Sequence, residues 1–482
     1  MPPADRARSE RRLVGGPMSR PFRLVTVCML ALVTIIAFEA MAISTAMPVV
    51  ARDLAAVRSY GLAFSFFLTA ELLGIVLAGT WSDRGGPLRP LLTGTTLLAA
   101  GSALAGLAWA FPVLLLGRIV AGTGAGLNVV ALYVVIGHAY PDALRPRVFS
   151  WVSAAWVLPA LVGPPISGWI THMFSWRWVF LVVLAPIAVT FTLVVRQRGQ
   201  FQRGERPESV TAGADAPVPS GSPSGPPRRG GRAARTVWLG VLVAVCAGVV
   251  QWGADQLVPL RLGPVVAVAI GLVGMAVAAP RLVTPGAVRM ARGLPSVMSS
   301  RFLLTASFNG AMTFVPLMLV AERDLSLTVA GVMLTLGSLG WSAGAFLQGR
   351  DALHGRRSEL VAAGGAFLAA GILLLAAIAE FGWHTYLVPV AATLTGVGMG
   401  MAMSAVSVLA LALSTRQDRG RASSSLNLAD VLGSVIGLSL SGAVFAALHH
   451  QHGSDAPVFA LMWALLAVLA AGVVIGGQRT RT

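Results

Sequence analysis

The chain has 482 residues, 56% of them hydrophobic and 11% charged, with a formal net charge of +17. Soluble domains carry about a quarter charged residues, so this balance excludes an ordinary water-soluble domain and points to a chain built for a bilayer. All 36 Lys and Arg positions are arginine, which excludes a Walker phosphate loop and a Schiff-base lysine; their spread through short gaps between apolar runs argues against a basic nucleic-acid face.

A hydrocarbon core about 30 Å thick takes roughly 20 apolar residues of helix, which sets the ruler for the spans. An Arg-rich N-terminal segment, 1–23, precedes a first run too long for a signal-peptide core. The first half, 24–195, reads as helices at 24–48, 59–80, 90–109, 112–137, 147–171 and 178–195. Residues 196–235 are rich in Arg, Pro, Gly and Ser, cannot bury a core, and read as a flexible linker. Two spans follow at 236–257 and 263–280, then a connector, 281–300. The second half, 301–477, holds spans at 301–321, 327–348, 359–379, 385–412, 424–446 and 456–477, before a short tail, 478–482. The expectation is an all-α membrane protein of fourteen helices, arranged as six, two inserted, and six.

Charge placement tests that count. With the N-terminus in the cytoplasm and every span crossing once, 30 arginines fall inside and five outside (Arg52, Arg58, Arg177, Arg261 and Arg323), with Arg118 within a span. Such a bias obeys the positive-inside rule, and both termini are expected to be cytoplasmic. Merging the inserted pair into one span would turn every later Arg-rich loop outward.

The halves share features. Gly122, Gly124 and Gly126 in the fourth span match Gly396, Gly398 and Gly400 in the second half, and an Arg/Gly-rich loop follows the second span of each. Such repeats suit secondary transporters. Charged residues inside spans are costly and tend to face a cavity, which singles out Glu39, Glu71, Arg118 and Asp430; burial favours the neutral form of a carboxyl and so suits it to carry a proton. Counted along their helices, Glu39 and Arg118 lie at similar depth. The second-half counterpart of Arg118 is Ala392, so coupling charge is expected mainly in the first half. Asp255 reads as a solvated acid at a span end. Cys28 and Cys246 lie in apolar runs, where no disulfide is expected, and His449, His450 and His452 read as a hydrophilic loop rather than a metal site.

The charged turn Gly79-Thr-Trp-Ser-Asp83-Arg84-Gly85-Gly86 resembles the signature loop of the major facilitator superfamily, although Pro87 and Leu88 stand where basic residues are usual and Arg89 comes a step late. Glu39, nine residues before Pro48, resembles the first-helix motif of the fourteen-helix drug:proton antiporters, with Glu for Asp. Arg118 with Gly122 resembles the fourth-helix motif. The run from Pro159 through Gly163 and Pro164 to Gly168 resembles the antiporter motif GxxxGPxxGG, with Pro159 and Ser167 replacing two glycines.

The resemblance implies a proton-coupled transporter of the plasma (inner) membrane that exports lipophilic or cationic small molecules by alternating access. An exporter of an endogenous lipid or metabolite would use the same machinery; a receptor or scaffold would have no need of the buried charges. In this reading Glu39, Glu71, Arg118 and Asp430 couple protons, and Gly122, Gly124 and Gly126 pack helices. Pro159, Gly163, Pro164 and Gly168 limit proton leak. Gly79, Asp83, Arg84, Gly86 and Arg89 form a conformational latch, with Asp83 against a helix start near Ser423. The partners implied are substrate, protons and membrane lipids, with no nucleic acid, for a monomer that is not an enzyme and needs no cofactor or metal beyond the proton gradient.

Overall fold

A computed structural model describes residues 16–20, 22–141, 144–199, 230–257, 261–282, 286–348, 350–414, 419–450 and 453–480. Most of the expected linker and the extreme termini lie outside these residues. All the regular structure described is helical.

The first half comprises α1 (Arg23–Asp53), α2 (Tyr60–Gly85), α3 (Leu88–Gly106), α4 (Phe111–Ala139), α5 (Arg145–Met173), α6 (Arg177–Leu181) and α7 (Leu184–Arg196). The inserted pair is α8 (Gly230–Asp255) and α9 (Leu262–Leu282). The second half comprises α10 (Leu294–Met312), α11 (Val315–Ala321), α12 (Leu327–Gln348), α13 (Arg357–Glu380), α14 (Val388–Ala412), α15 (Arg419–Leu448) and α16 (Ala456–Arg479). Among the described residues, twelve helical stretches are long and apolar enough to cross a membrane, α6–α7 and α10–α11 each counting as one broken stretch. Helix α3 and the 17-residue apolar run of α9, Leu262–Ala278, fall short of that ruler.

Proline punctuates this architecture. In α4, α5, α10, α14 and α16 a Pro occupies one of the first two positions, where its missing N–H interrupts no hydrogen bond. Pro48 does not end the first helix, which runs on to Asp53. The Gly79–Arg89 segment is less of a loop than its composition suggests: α2 continues through Gly85, and the reversal is confined to Gly86, at φ 73°, and Pro87. The positive φ is what glycine supplies there. The second-half boundary also moves. Gly293, at φ 83°, and Pro295 start α10 ahead of the expected residue 301, so Arg301 lies inside a helix rather than in a connector.

The halves repeat one packing scheme. In the first, α1 packs on α5 and α4 on both α2 and α3; in the second, α10 packs on α15 and α14 on both α12 and α13. The paired glycines explain it. A Cβ on Gly122, Gly124 or Gly126 would run into the carbonyl oxygens of Phe67, Gly94 and Glu71, and one on Gly396, Gly398 or Gly400 into those of Gly337, Gly364 and Trp341. Helices that hold apolar side chains on every face gain little from sorting them, so close backbone approach through small residues drives their association.

The halves meet toward the end of the bundle marked by Tyr60. Tyr60 donates to the carbonyl of Thr313 at 2.9 Å and Arg52 to that of Val320 at 3.0 Å. Gly61 lies against Gly442, where an added Cβ would sit 2.8 Å from the neighbouring Cα. The Tyr60 and Phe314 rings meet at a tilt with centroids 5.2 Å apart, and Phe314 continues to Phe445 at 5.4 Å. At the opposite end Gly79, Gly85, Gly137 and Gly355 have nothing within 4 Å of an added Cβ. The two halves are therefore tied together at the Tyr60 end.

Candidate transport site

Helix α1 carries Glu39 to the depth at which α4 carries Arg118, and the two meet. Arg118 Nη1 donates to Glu39 Oε1 at 3.0 Å, with both side chains 2–3% exposed. The guanidinium also donates from Nε to the carbonyl of Ala63 at 3.2 Å and stacks 4.0 Å over the Phe67 ring. Two neighbouring helices, α1 and α2, thus hold one arginine, each compensating part of the cost of its burial. Oε2 of Glu39 is buried without a hydrogen bond among the described residues.

A second ion pair stands in the other half, where the sequence reading placed little coupling charge. Arg301 on α10 takes Asp430 of α15 in a two-point grip, Nε to Oδ1 at 3.0 Å and Nη2 to Oδ2 at 3.2 Å. Its Nη1 reaches Ser407 Oγ at 3.2 Å and the carbonyl of Met403 on α14. Arg301 is nearly buried, whereas the Asp430 side chain is 28% exposed. One turn further along α15, Ser434 accepts from Asn309 at 2.8 Å. Sequence reading had Asp430 but not its partner, because Arg301 was counted among loop arginines. The Gly293–Pro295 start signal is what reveals it as helical.

Glu71, in the middle of α2, is half-buried and within electrostatic reach of Asp430, Arg118 and Glu39. Tyr133 of α4 contributes an exposed wall that senses Asp430 and Arg301. The four acid and base positions expected from the sequence are therefore drawn together, with Arg301 added.

The α5 motif takes a different place. Pro159, Gly163, Pro164 and Gly168 share one buried face of α5. Gly168 and Pro164 press against Thr328 and Gly331 of α12, Thr335 donates to the carbonyl of Leu161 at 2.9 Å, and Ser167 donates to the carbonyl of Ala42. The motif is a seam between halves rather than a wall around the charges. At the far end Arg84 and Arg89 are exposed, and Gly79 packs against nothing within 4 Å. The latch partners Asp83 and Ser423 lie outside the residues whose side chains are described. Asp255, read as a solvated acid, is half-buried and accepts from Ser59, the residue before α2, at 2.6 Å. Among the described residues no group of three or more His, Cys, Asp or Glu is placed to hold a metal.

The sequence profile of the Major Facilitator Superfamily matches residues 29–296 and 297–477, nearly the whole membrane part. The chain belongs to this superfamily. An uncharacterised MFS-type transporter of Mycobacterium tuberculosis is 26% identical over 455 residues, covering 89% of this chain and 61% of the relative. This chain thus spans about three-fifths of that relative's length. The multidrug efflux pump SdrM of Staphylococcus aureus is 27% identical over 173 residues, 36% of this chain and 38% of the pump. Among solved structures, a POT family transporter in complex with a thioalcohol-conjugated peptide aligns with a TM-score of 0.68 at 12% identity, over 95% of this chain and 96% of that one. A D-xylose–proton symporter aligns with a TM-score of 0.60 at 15% identity, over 93% and 96%. These two likenesses establish a shared fold.

Proposed function

We propose that this chain is a proton-coupled exporter of lipophilic or cationic small molecules, working by alternating access between its two halves. It would cross the plasma membrane fourteen times, α3 and α9 included, with both termini in the cytoplasm. On that orientation the Asp83 end faces the cytoplasm, where an exporter collects its cargo, and the aromatic contact around Tyr60 closes the outer face.

One observation carries the reading: among the described residues, five charged side chains, Glu39, Glu71, Arg118, Arg301 and Asp430, stand within apolar helices. Buried charge in hydrocarbon is expensive, at least ~2.5 kcal/mol per residue on insertion scales, and a scaffold has no use for it. A carboxyl inside such a cavity binds either a proton or a positively charged group, and competition between them links the downhill movement of one to the uphill movement of the other. The likeness to a multidrug efflux pump supports export of drug-like small molecules.

The test is transport by the purified full chain in liposomes carrying an imposed pH gradient, acidic on the side of the Tyr60 end. Gradient-driven uphill movement of a lipophilic cation such as tetraphenylphosphonium, abolished by a protonophore, is the expected result. Uphill movement restricted to a phospholipid or other endogenous metabolite would replace the cargo class. No gradient-driven movement of any of these would overturn the reading.

A further inference from the structure

Helix α11 is a short piece broken from α10 at Thr313, and both halves hold it. Pro316 in its first turn lacks the N–H that would bond back to the carbonyl of Met312, which is the local cause of the break. The first half grips the piece near both ends: Tyr60 donates to the carbonyl of Thr313 at 2.9 Å, and Arg52 to that of Val320 at 3.0 Å. The second half holds it through Glu322, the residue after α11. Glu322 Oε1 accepts from the backbone N–H of Asp455 at 2.9 Å, and its Oε2 accepts from Ser454 Oγ, both in the turn ahead of α16.

Asp455 is itself the centre of a titratable cluster that the transport reading leaves unused. Its carboxylate is 8% exposed and accepts from His449 Nδ1 at 2.6 Å and from the backbone N–H of His450 at 3.0 Å. The His449 ring, 14% exposed, stacks on Phe445 with centroids 5.2 Å apart. Phe445 in turn meets Phe314, at the break between α10 and α11, and Phe314 meets Tyr60. A row of rings thus runs from His449 to the seam between the halves. The charged groups around the imidazole come from three elements. Asp455 stands ahead of α16, Glu322 at the end of α11, and His450 at the end of α15, with its Nδ1 4.0 Å from Asp455 Oδ1. Arg323 is committed elsewhere, to the carbonyl of Ile378 on α13 at 2.7 Å. Two acids are therefore gathered at one half-buried histidine, the residue type whose charge ordinarily changes between about pH 5 and 8.

We propose that α11 is a strap, hinged at Thr313, that stays with the first half when the Tyr60 end opens, and that the His449–Asp455–Glu322 cluster is the pH-sensitive catch that releases it. From the transport reading the proposal takes only the orientation, which puts the Tyr60 end outside. When His449 is protonated, its Nδ1–H remains on Asp455 and the bond becomes a charge-assisted one. The imidazolium also offsets the carboxylate of Asp455, so Glu322 can stay bonded to the backbone of that residue with less repulsion. Loss of the proton leaves two negative groups with no positive one between them, and the hold on Glu322 weakens. The sign follows from linkage: the closed state binds the His449 proton more tightly than the open state, so falling pH outside favours closure.

The experiment uses the purified full chain with Cys28 and Cys246 replaced and spin labels carried by Leu107→Cys and Tyr386→Cys. These positions are exposed, one in each half, in the turns after α3 and before α14. Double electron–electron resonance then reads the ratio of open to closed molecules at the Tyr60 end. Between about pH 5.5 and 8.5 that ratio should rise about tenfold in the otherwise native chain. His449→Gln, which keeps a donor for Asp455 but takes no proton, should hold the alkaline ratio throughout. Glu322→Gln, which removes one of the two acids and keeps the bonding shape, should hold a ratio near the acid one throughout, an effect that general loosening of the fold would not produce. His450→Gln should leave the pH response in place. A ratio that does not change with pH in the native background overturns the catch. So does a response retained in His449→Gln, which would assign it to another titrating group. Gradient-driven transport of tetraphenylphosphonium, followed on the same proteins, separates this result from the export reading. Its absence from the native chain sinks that reading while the distance response still decides the catch, and its persistence in His449→Gln with the response lost confirms that the catch regulates opening without carrying the coupled proton.

Discussion

Arg118 reaches Glu39 at 3.0 Å while its guanidinium carbon sits 4.0 Å above the ring of Phe67. An acid of α1 and a base of α4 are thereby fixed by an aromatic of α2. Both charges are 2–3% exposed, so neither can turn to water if its partner is lost. Glu39→Gln or Arg118→Met alone should therefore cost about 3–5 kcal/mol, the usual penalty for stranding one member of a buried pair. The double variant, with no charge left to strand, should recover most of that loss. Thermal unfolding of the purified proteins in detergent checks this; a double variant less stable than both singles would show that the pair is net stabilising.

The glycines of α4 make a separate and sharper prediction. A side chain on Gly126 collides with the carbonyl of Glu71 and would push away the helix that carries the central acid. Gly126→Ala should cost about 1–3 kcal/mol from overpacking and reduce transport with it. Gly137→Ala, on the same helix with nothing within 4 Å, should change stability by about 0.5 kcal/mol or less. Equal effects of the two substitutions on unfolding and flux would show that packing against α2 is not what the glycine provides.

How far the sequence could be read follows from which signals are local. Hydropathy set by bilayer thickness marked the helices, and the glycine repeat pointed to the matched packing of α4 and α14 before any contact was known. Depth counting along two helices placed Glu39 beside Arg118, because rise per residue is fixed. Arg301 escaped, since an arginine at the edge of an apolar run reads as a loop residue until the Gly293–Pro295 start is weighed. The breaks between α6 and α7 and between α10 and α11 also escaped; hydropathy does not change across them. The contact of Asp255 with Ser59 was not legible either, since the two are 196 positions apart and no local pattern predicts it.

The Gly79–Arg89 segment lies at the opposite end from Tyr60, with Arg84 and Arg89 exposed and nothing within 4 Å of a Cβ added at Gly79. If Asp83 secures the closed state by meeting a helix N-terminus, its charge matters to the conformational cycle and not to cargo recognition. Asp83→Asn should lower turnover about tenfold, equivalent to about 1.4 kcal/mol, with cargo affinity unchanged. Stopped-flow transport alongside equilibrium binding separates the two. Lost affinity at unchanged turnover would remove the segment from the conformational cycle.

The inserted helix α8 is bonded to both halves at the Tyr60 end. Ser59, the residue before α2, donates to Asp255 at 2.6 Å, and Gln251 donates to Ser439 of α15. Lower down, Val243 and Ala244 share an apolar cluster with Leu72 of α2 and Leu432 of α15. Opening the Tyr60 end must separate α2 from α15, so α8 has to let go of one of them. Paired cysteines decide which. In a background with Cys28 and Cys246 replaced, Ser59→Cys with Asp255→Cys ties α8 to the first half, and Gln251→Cys with Ser439→Cys ties it to the second. The bond on the half with which α8 travels should leave transport intact when oxidised. The other should arrest it, and a reductant should restore it. Locking both at once must stop the cycle, because it welds the two halves through one helix. Transport that continues with both disulfides formed would mean that the Tyr60 end opens without parting α2 from α15, and alternating access in this chain would need a different moving seam.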